Sequence, residues 1–227
     1  MIVVVGLAFE ARIAAGPGIQ VICSGDGRHL GRSLAAAVRD NCGGLVSFGV
    51  AGGLDPDLQP GDCIVASAIL SGSSRMPTDP VWSQNLIDTV PNAVLGVLAG
   101  VPVPVATAAA KRALHQKTGA VAVDMESHIV ASVAQKHAIP MAAIRVITDP
   151  AARALPRSAL AAMRPDGTTD FAAMMHHLLR NPRELPAILR TAIDARAACA
   201  TLLRGRRLLG PRLGLPDFQR LELDVVA

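Results

Sequence analysis

Short runs of apolar, mostly β-branched residues alternate with amphipathic segments along the chain. The runs lack the polar alternation of a sheet with one face in water, so they predict strands that are buried on both faces. These predicted strands lie at residues 3–6, 20–23, 45–50, 63–68, 94–98, 121–123 and 141–147. Apolar residues at helical spacing predict helices at 29–39, 109–117, 127–137 and over much of 169–206. This order predicts an α/β protein, a three-layer sandwich with a sheet between two layers of helices.

Loops and domain boundaries follow from the composition. Serine, glycine, proline and threonine crowd residues 71–80, which are therefore predicted as a loop, and prolines mark a joint near residues 154–157. The chain has 227 residues, of which 51% are hydrophobic, and this is enough for one substantial core. We expect a single domain over residues 1–227, with a mostly helical C-terminal extension at residues 155–227.

The sequence favours a cytoplasmic protein. Glycine, proline or charge interrupts every apolar run well before the ~20 residues that a membrane span needs. The first residues lack the basic lead and the cleavage site of a signal peptide, and they look like a buried strand. The four cysteines are far apart, so buried thiols are expected rather than disulfides.

Two acidic residues stand where predicted strands end. Glu126 follows the strand at 121–123, and Asp149 closes the run that begins at Met141. An open α/β sheet places its chemistry at the carboxyl ends of strands. Two carboxylates delivered there by separate strands suit a reaction that needs both an acid and a charge stabiliser. The plainer alternative is that Glu126 complements a helix dipole and Asp149 is a turn residue before a proline.

Four motifs, in this order, resemble those of the nucleoside phosphorylase and nucleosidase superfamily. They are Gly-Leu-Ala-Phe-Glu-Ala-Arg at 6–12, Gly-Val-Ala-Gly-Gly-Leu at 49–54, Asp-Met-Glu-Ser at 124–127 and Arg-Val-Ile-Thr-Asp at 145–149. The first motif, the Ser-His pair at 127–128 and the segment 155–167 look closest to the hopanoid-associated phosphorylases. The resemblance covers most of the chain. It implies a fold of the nucleoside phosphorylase type, with a mixed central sheet, and cleavage of the bond between a purine and ribose.

The resemblance also implies roles for individual residues. Asp149 would protonate the leaving purine, with its pKa raised by desolvation in the apolar strand. Glu126 would bind the ribose hydroxyls above Met125, and Arg145 would orient the carboxylates. The residues assigned to substrate contacts are Phe9, Val50, Gly52 and Val103. Phe48 is a second aromatic candidate for contact with adenine. Gly6 is expected to lie beside the carboxylates.

The nucleophile stays open between water and phosphate. The superfamily's nucleosidases carry a water-activating carboxylate at the position of Glu10, whereas its phosphorylases carry a phosphate-binding arginine there, so Glu10 favours water. Val50 stands where a phosphate-binding hydroxyl is expected. Arg12 and Arg28, with the backbone amides of residues 25–27, nevertheless offer a place for an anion. We expect no cofactor, with phosphate as a candidate co-substrate.

Other kinds of site are less well supported. Glycines at positions 25, 27 and 31 resemble a dinucleotide-binding loop, but the next strand does not end in an acid for a ribose, so a nicotinamide enzyme is the weaker alternative. No histidine pair has the spacing of zinc ligands, so no metal is expected. With five aromatic residues and no recognisable binding module, the basic chain does not favour nucleic acid as a partner.

The C-terminal region carries an uneven charge. Residues 180–212 contain eight arginines against two acids, interleaved with leucine and isoleucine. This pattern is typical of an ordinary solvated helix, and it would also suit contact with anionic lipid at the inner membrane surface.

The preferred function is therefore release of adenine from an adenosyl lipid such as adenosylhopane, by a homo-oligomeric enzyme. The alternatives are a methylthioadenosine or adenosylhomocysteine nucleosidase and a non-catalytic purine-binding or lipid-surface adaptor.

Overall fold

The computed structural model describes residues 1–38, 42–162, 164 and 166–217. Its strands are β1 (Ile2–Val5), β2 (Gln20–Cys23), β3 (Leu45–Gly53), β4 (Cys63–Ser71), β5 (Ser74–Pro77), β6 (Val94–Gly100), β7 (Ala122–Asp124) and β8 (Met141–Asp149). Its helices are α1 (Ala8–Ala14), α2 (Gly27–Ala37), α3 (Pro80–Thr89), α4 (Ala108–Thr118), α5 (Ser127–Lys136), α6 (Arg157–Ala161), α7 (Phe171–Arg180) and α8 (Leu185–Leu208). A 3₁₀ turn at Pro182–Glu184 separates the last two helices.

All these strands belong to one mixed sheet. Strands β2, β1, β3 and β8 run parallel, whereas β4 is antiparallel to β8 and parallel to β6. Strand β7 joins β6 to the end of β3, so that β3, β8, β4, β6 and β7 close into a ring. The sequence does not predict this closure, but the α/β fold with a mixed central sheet that it predicts is confirmed.

Helices cover both faces of the sheet, and this explains why the strands lack polar alternation. In β1, Ile2 and Val4 join a core cluster with residues of α2 and α5. The intervening Val3 and Val5 join a second cluster with residues of α1, α3 and α8. Each face of the strand is therefore apolar, as expected for a sheet between two helical layers.

The loop predicted at residues 71–80 is wrong. Strand β4 continues to Ser71 and turns at Gly72, whose φ of 59° suits a tight hairpin, into the edge strand β5. Helix α3 then begins at Pro80, with the Asp79 side chain accepting a hydrogen bond from the Trp82 amide. Proline and aspartate, which indicate a loop by composition, are equally typical of a helix N-terminus.

Three helices are missing from the sequence prediction: α1, α3 and α6. Helix α1 has seven residues and α6 has five, which is too short for a clear apolar periodicity. The helix predicted over 169–206 is two helices because Pro182 cannot continue α7. Residue 39, at the predicted end of α2, lies outside the described residues.

Two observations bear on the expected environment. Among the described residues, no helix combines the length and apolar character required to cross a bilayer. All four cysteines are free thiols, and Cys63 is buried whereas Cys23, Cys42 and Cys199 are half-buried. Full burial, which we expect of the thiols, therefore holds for Cys63 alone.

Candidate active site

Arg145 organises one half of the candidate site from the middle of β8. Its side chain is fully buried, and its Nη2 donates hydrogen bonds to Ser47 Oγ at 2.6 Å and to Glu126 Oε2 at 3.2 Å. Its Nε lies 2.6 Å from Asp124 Oδ2. A buried cation is costly unless it is paired, and here the carboxylates around it keep the guanidinium charged. Arg145 thus holds Asp124 and Glu126 in place, but among the described residues it forms no ion pair with Asp149, the other carboxylate that it is predicted to orient.

Glu10 lies on α1 and is almost completely buried. Its Oε2 accepts hydrogen bonds from the amides of Gly6 at 3.0 Å and Leu7 at 2.8 Å, and its Oε1 accepts one from the Val50 amide at 2.7 Å. Burial raises the pKa of Glu10, against the opposing effects of Arg145 and these amides. The short helix α1 therefore fixes one carboxylate against the carboxyl end of β3.

Glu126 lies where β7 passes into α5, and its residue is 8% exposed. Burial raises its pKa to about 7; Arg145 opposes this rise, and the negative charges of Asp124 and Glu10 add to it. Gly6 lies directly beside it, since a Cβ at position 6 would come 2.5 Å from Glu126 Oε1. Glu126 is thus an acid that can gain or lose a proton near neutral pH.

Asp124 is a member of this cluster that the sequence analysis did not single out. Its Oδ1 accepts hydrogen bonds from the Ser127 amide at 3.1 Å and the Ser127 hydroxyl at 2.6 Å, while its Oδ2 faces Arg145. It fixes the start of α5 and so the position of Glu126. The signal was present, because Asp124 ends β7 two residues before Glu126.

Asp149 forms the other half of the site, at the end of β8. Its side chain is 14% exposed, and its Oδ1 accepts a hydrogen bond from Thr148 Oγ1 at 2.9 Å. Its Oδ2 lies 2.5 Å from Nζ of Lys111, a buried residue of α4 that the sequence analysis missed. Burial raises the pKa of Asp149, as predicted, but Lys111 and Thr148 lower it. Asp149 is therefore an acid whose proton affinity depends on a buried lysine.

The end of β3 joins the two halves. Val50 donates to Glu10, and Gly52 pairs with Asp149 across the sheet. A Cβ at position 52 would lie 3.1 Å from Asp149 Oδ2, so the absence of a side chain lets the carboxylate approach the strand. Two residues of a strand span roughly 6–7 Å. Glu10, bound by Val50, and Asp149, paired with Gly52, therefore lie at the same carboxyl end of β3.

The other predicted substrate residues are more scattered. Met125 is half-buried between Asp124 and Glu126, and Phe9 is half-buried and packs against the core. Phe48 is 1% exposed and belongs to the core, so its ring is not available to stack on adenine. Val103 lies on the loop after β6 with 65% of its surface exposed.

Of the predicted backbone donors at residues 25–27, the Asp26 amide donates to Ser24 Oγ at 3.2 Å. Asp26 accepts hydrogen bonds from the amides of Arg28 and His29 at the start of α2. The side chains of Arg12 and Arg28 are exposed. An anion at this helix end would have to displace a carboxylate of the protein itself.

The segment between α6 and α7 lies against the first half of the site. The Ala8 amide donates to the Gly167 carbonyl at 3.0 Å. Gly167 has a φ of 77°, and a Cβ there would overlap the carbonyl oxygen of Gly6. Cys23, whose pKa is raised by burial and by nearby acids, is in contact with the same segment. The segment that leads into α7 therefore lies next to Gly6, the neighbour of Glu126, four residues before the helix begins at Phe171.

The described residues contain no group of three or more histidines, cysteines and acids that could hold a metal ion. The chemistry available from this arrangement is that of acids, bases and charge stabilisation: a titratable Glu126, a backbone-bound Glu10 and a lysine-bound Asp149.

Solved structures of a futalosine hydrolase and of nucleosidases share the fold. Futalosine hydrolase from Helicobacter pylori has 17% sequence identity and a TM-score of 0.64, over 90% of this chain and 95% of that protein. The 5′-methylthioadenosine/S-adenosylhomocysteine nucleosidase from S. pneumoniae has 15% identity and a TM-score of 0.59, over 89% and 97%. The corresponding nucleosidase from H. pylori has 19% identity and a TM-score of 0.57, over 66% and 85%. At these identities the likeness is one of fold.

Sequence comparison gives the family. None of the curated proteins matches the chain. The profile of the phosphorylase superfamily, however, matches residues 6–182, which include all four motifs and every acidic residue of the site. The chain therefore belongs to the phosphorylase superfamily and is an enzyme of the nucleoside phosphorylase and nucleosidase type.

Proposed function

We propose that the protein cleaves the N-glycosidic bond of a purine nucleoside. The observation that carries this proposal is that two different carboxylate environments meet at the end of β3. One holds Glu10 and Glu126 around Arg145, and the other holds Asp149 on Lys111. The reaction needs an acid for the leaving base and negative charge near the sugar, and these are two separate demands.

The roles divide between the two halves of the site. Asp149 protonates the purine, so that the base leaves as a neutral molecule. Glu126 binds the ribose hydroxyls and stabilises the positive charge that develops on the sugar. Met125, next to it in the chain, packs against the ribose. Arg145 binds no substrate in this scheme and keeps Glu126 in position.

Water is the nucleophile that these residues support best. A carboxylate has about four acceptor positions, and Glu10 uses three of them for backbone amides, two on Oε2 and one on Oε1. The open position on Oε1 can accept a hydrogen bond from a water molecule. A phosphate anion at the same place would be repelled by Glu10, and the side chains of Arg12 and Arg28 are exposed. We therefore propose hydrolysis without a cofactor, with phosphorolysis as the alternative.

The proposed substrate is an adenosyl lipid, and adenosylhopane is the compound that the resemblance to the hopanoid-associated phosphorylases suggests. An exposed apolar stripe on α7 supports it, formed by Phe171, Met175 and Leu179. The segment that leads into this helix is bound beside Gly6 through Gly167, and the stripe begins four residues later at Phe171. A methylthioadenosine or adenosylhomocysteine nucleosidase fits the same catalytic residues equally well.

A lipid substrate would require contact with a membrane surface, and α8 carries a second row of exposed apolar residues, Leu185, Leu189 and Ile193. Both acids of residues 180–212 are already engaged: Glu184 accepts from the Ser158 hydroxyl, and Asp194 pairs with Arg153. Apart from Arg206, whose guanidinium donates to backbone carbonyls, the arginines of this region are exposed and have no acidic partner among its described residues. We propose peripheral binding to anionic lipid by a homo-oligomer that does not bind nucleic acid.

Adenine release tests the proposed function. Purified protein would be incubated with adenosine, methylthioadenosine, adenosylhomocysteine and an adenosyl lipid in vesicles, each with and without phosphate, and the base and sugar products would be identified. We expect free adenine and an unphosphorylated sugar, with the adenosyl lipid cleaved fastest. A phosphorylated sugar formed only with phosphate would replace hydrolysis by phosphorolysis. Absence of adenine from every compound would contradict the function.

A further inference from the structure

Lys111 is a fully buried lysine that the proposed chemistry leaves without a role. Helix α4 begins after Thr107, whose hydroxyl caps the Ala110 amide, and Lys111 follows in the first turn. Its side chain reaches Asp149 at the carboxyl end of β8. Lys111 is 0% exposed. Burying a lysine is expensive unless its charge is compensated, so this placement requires an explanation.

The contacts of Lys111 favour a positively charged side chain. Its Nζ lies 2.5 Å from Asp149 Oδ2, 3.2 Å from the Asp149 carbonyl, 3.0 Å from the Pro150 carbonyl and 3.1 Å from the Arg153 carbonyl. All four partners are acceptors. A protonated amine has three hydrogens to donate and no lone pair, whereas a neutral amine would point a lone pair at an oxygen. The surroundings therefore fit an ammonium group.

The charges around Asp149 come from three elements. Lys111 of α4 contacts its Oδ2, and Thr148 of β8 donates to its Oδ1. Arg153, in the loop after β8, also favours the charged form, but its guanidinium is paired with Asp194 of α8. Within the described part of the chain, Lys111 is the only cation that forms an ion pair with Asp149. Its charge therefore acts on the proposed acid more directly than any other.

We propose that Lys111 is a positioning residue for Asp149: it fixes the carboxyl group at the end of β8, and its charge sets the pH range over which Asp149 carries a proton. This inference rests on the proposed function. Asp149 gives its proton to the purine, the bond between sugar and base breaks with its electron pair going to the base, and water adds to the sugar and passes a proton to Glu10. Asp149 is then a carboxylate next to an ammonium group. Lys111 thus stabilises the form of the acid that the reaction leaves behind.

A purely structural role of Lys111 would depend on its hydrogen bonds to the backbone and not on its charge. Three of the four acceptors are backbone carbonyls of residues 149, 150 and 153, so Lys111 also ties the loop after β8 to α4. Glutamine at position 111 can still donate hydrogen bonds to carbonyl groups, but it has no charge. Arginine keeps the charge. Comparing these two variants separates the effect of charge from the effect of the loop contacts.

The pH dependence of kcat/KM provides the test, with the adenosyl compound that the wild type cleaves fastest. Activity should fall at high pH as Asp149 loses its proton. An opposite charge at this distance typically lowers a carboxyl pKa by about 1–3 units, so we expect Lys111→Gln and Lys111→Met to move this alkaline limb upward by about one unit or more. The rate below the limb should fall by roughly 10-fold or more, while Lys111→Arg keeps the limb in place. The exposed neighbour Arg112 supplies the matched control, Arg112→Gln, which should behave as wild type.

If the alkaline limb of the kcat/KM profile stays in place in folded Lys111→Gln and Lys111→Met proteins, the proposal is overturned. Lys111 would then only hold the loop after β8. If these variants do not fold, ¹⁵N NMR of the wild type decides instead, with the Lys111 signal assigned by its loss in Lys111→Arg or by the proximity of α4 amides. We expect the Nζ shift of an ammonium at pH 7, and the shift of a neutral amine would refute the proposed charge. This measurement does not need turnover. A protein that cleaves no nucleoside therefore fails the proposed function, while the charge of Lys111 is judged separately.

Discussion

Gly49 has no side chain where Glu10 and Arg145 approach the backbone of β3. Its φ of 151° lies in a region that side chains rarely allow, and a Cβ there would overlap Glu10 Oε1 and come 2.8 Å from Arg145 Nη1. Glu10 cannot move aside easily because three backbone amides hold its carboxylate. The glycine of the second motif therefore makes room for the acid of the first.

Gly49→Ala should consequently impair both folding and catalysis. We expect a loss of about 1–3 kcal/mol in the free energy of unfolding from backbone strain, and a fall in kcat as Glu10 is displaced. The matched control is Gly205→Ala in α8, where a Cβ would meet nothing. Urea unfolding and adenine release measure the two effects. If Gly49→Ala is as stable and active as Gly205→Ala, Glu10 is not confined in this way.

Asp149→Asn removes the proposed acid while keeping the shape of the side chain. Loss of a general acid commonly costs about 10²- to 10⁴-fold in rate, so kcat for release of adenine should fall by that range. Circular dichroism and thermal unfolding should confirm that the variant is folded. Asp57→Asn, which changes an exposed acid in the loop between β3 and β4, serves as a control with unchanged turnover. Turnover at the wild-type rate by folded Asp149→Asn would refute the role.

The parts of the fold that the sequence predicts are those with a local cause. Strand β2 is predicted with the observed bounds, and β1, β3 and β8 differ only at their ends, because runs that are apolar on both faces indicate strands within a few residues of sequence. Helix α1 is too short for a periodic pattern. The closed ring of strands depends on pairing between β4 and β8, which are far apart in the chain, and local patterns carry no information about such pairing.

The candidate site divides in the same way. Glu10, Glu126, Arg145 and Asp149 are found because they lie in the recognisable motifs at residues 6–12, 124–127 and 145–149. Lys111 is not found, because nothing within α4 distinguishes it from Arg112, its exposed neighbour. Only the three-dimensional approach of α4 to the end of β8 makes one of two adjacent cations a buried partner of Asp149.

The proposed contact of Glu126 with the sugar predicts a substrate preference. Glu126→Gln should slow cleavage of ribosides far more than cleavage of 2′-deoxyribosides, because the deoxy compounds lack a hydroxyl that the carboxylate would bind. Measuring kcat/KM for both sugars with wild type and variant gives the comparison. An equal loss of kcat/KM on both sugars would count against this contact.

The raised pKa of Glu126 predicts how stability depends on pH. Its pKa is about 7 in the folded protein against an ordinary value of 4.5, so the folded state binds the proton more tightly than the unfolded chain does. The stabilisation is complete below about pH 4.5 and is lost as the pH rises through about 7. Urea unfolding at pH 5 and pH 8 should show a larger loss in wild type than in Glu126→Gln, by up to about 3 kcal/mol. Equal losses in both proteins would show that Glu126 does not titrate in this window.

The exposed arginines of the last two helices should mediate binding to anionic membranes. Arg206 is a poor choice for testing this, because its guanidinium donates to the carbonyls of Ala14 and Gly210 and so supports the fold. Arg183 and Arg190 are exposed beside the apolar stripe. Reversing both to glutamate should abolish sedimentation with anionic vesicles and slow cleavage of a vesicle-embedded adenosyl lipid, while a short soluble substrate is cleaved as before.

The same charge change placed elsewhere is the control for this prediction. Arg75 and Arg112 are exposed on β5 and α4, and reversing them should leave vesicle binding intact. Binding by the wild type should also weaken with added salt, because surface charges are screened over roughly 8 Å at physiological ionic strength. If the wild type ignores anionic vesicles, or if both double variants bind equally well, the arginines are an ordinary solvated surface. The apolar stripe would then need a different partner, and the case for a lipid substrate would lose its structural support.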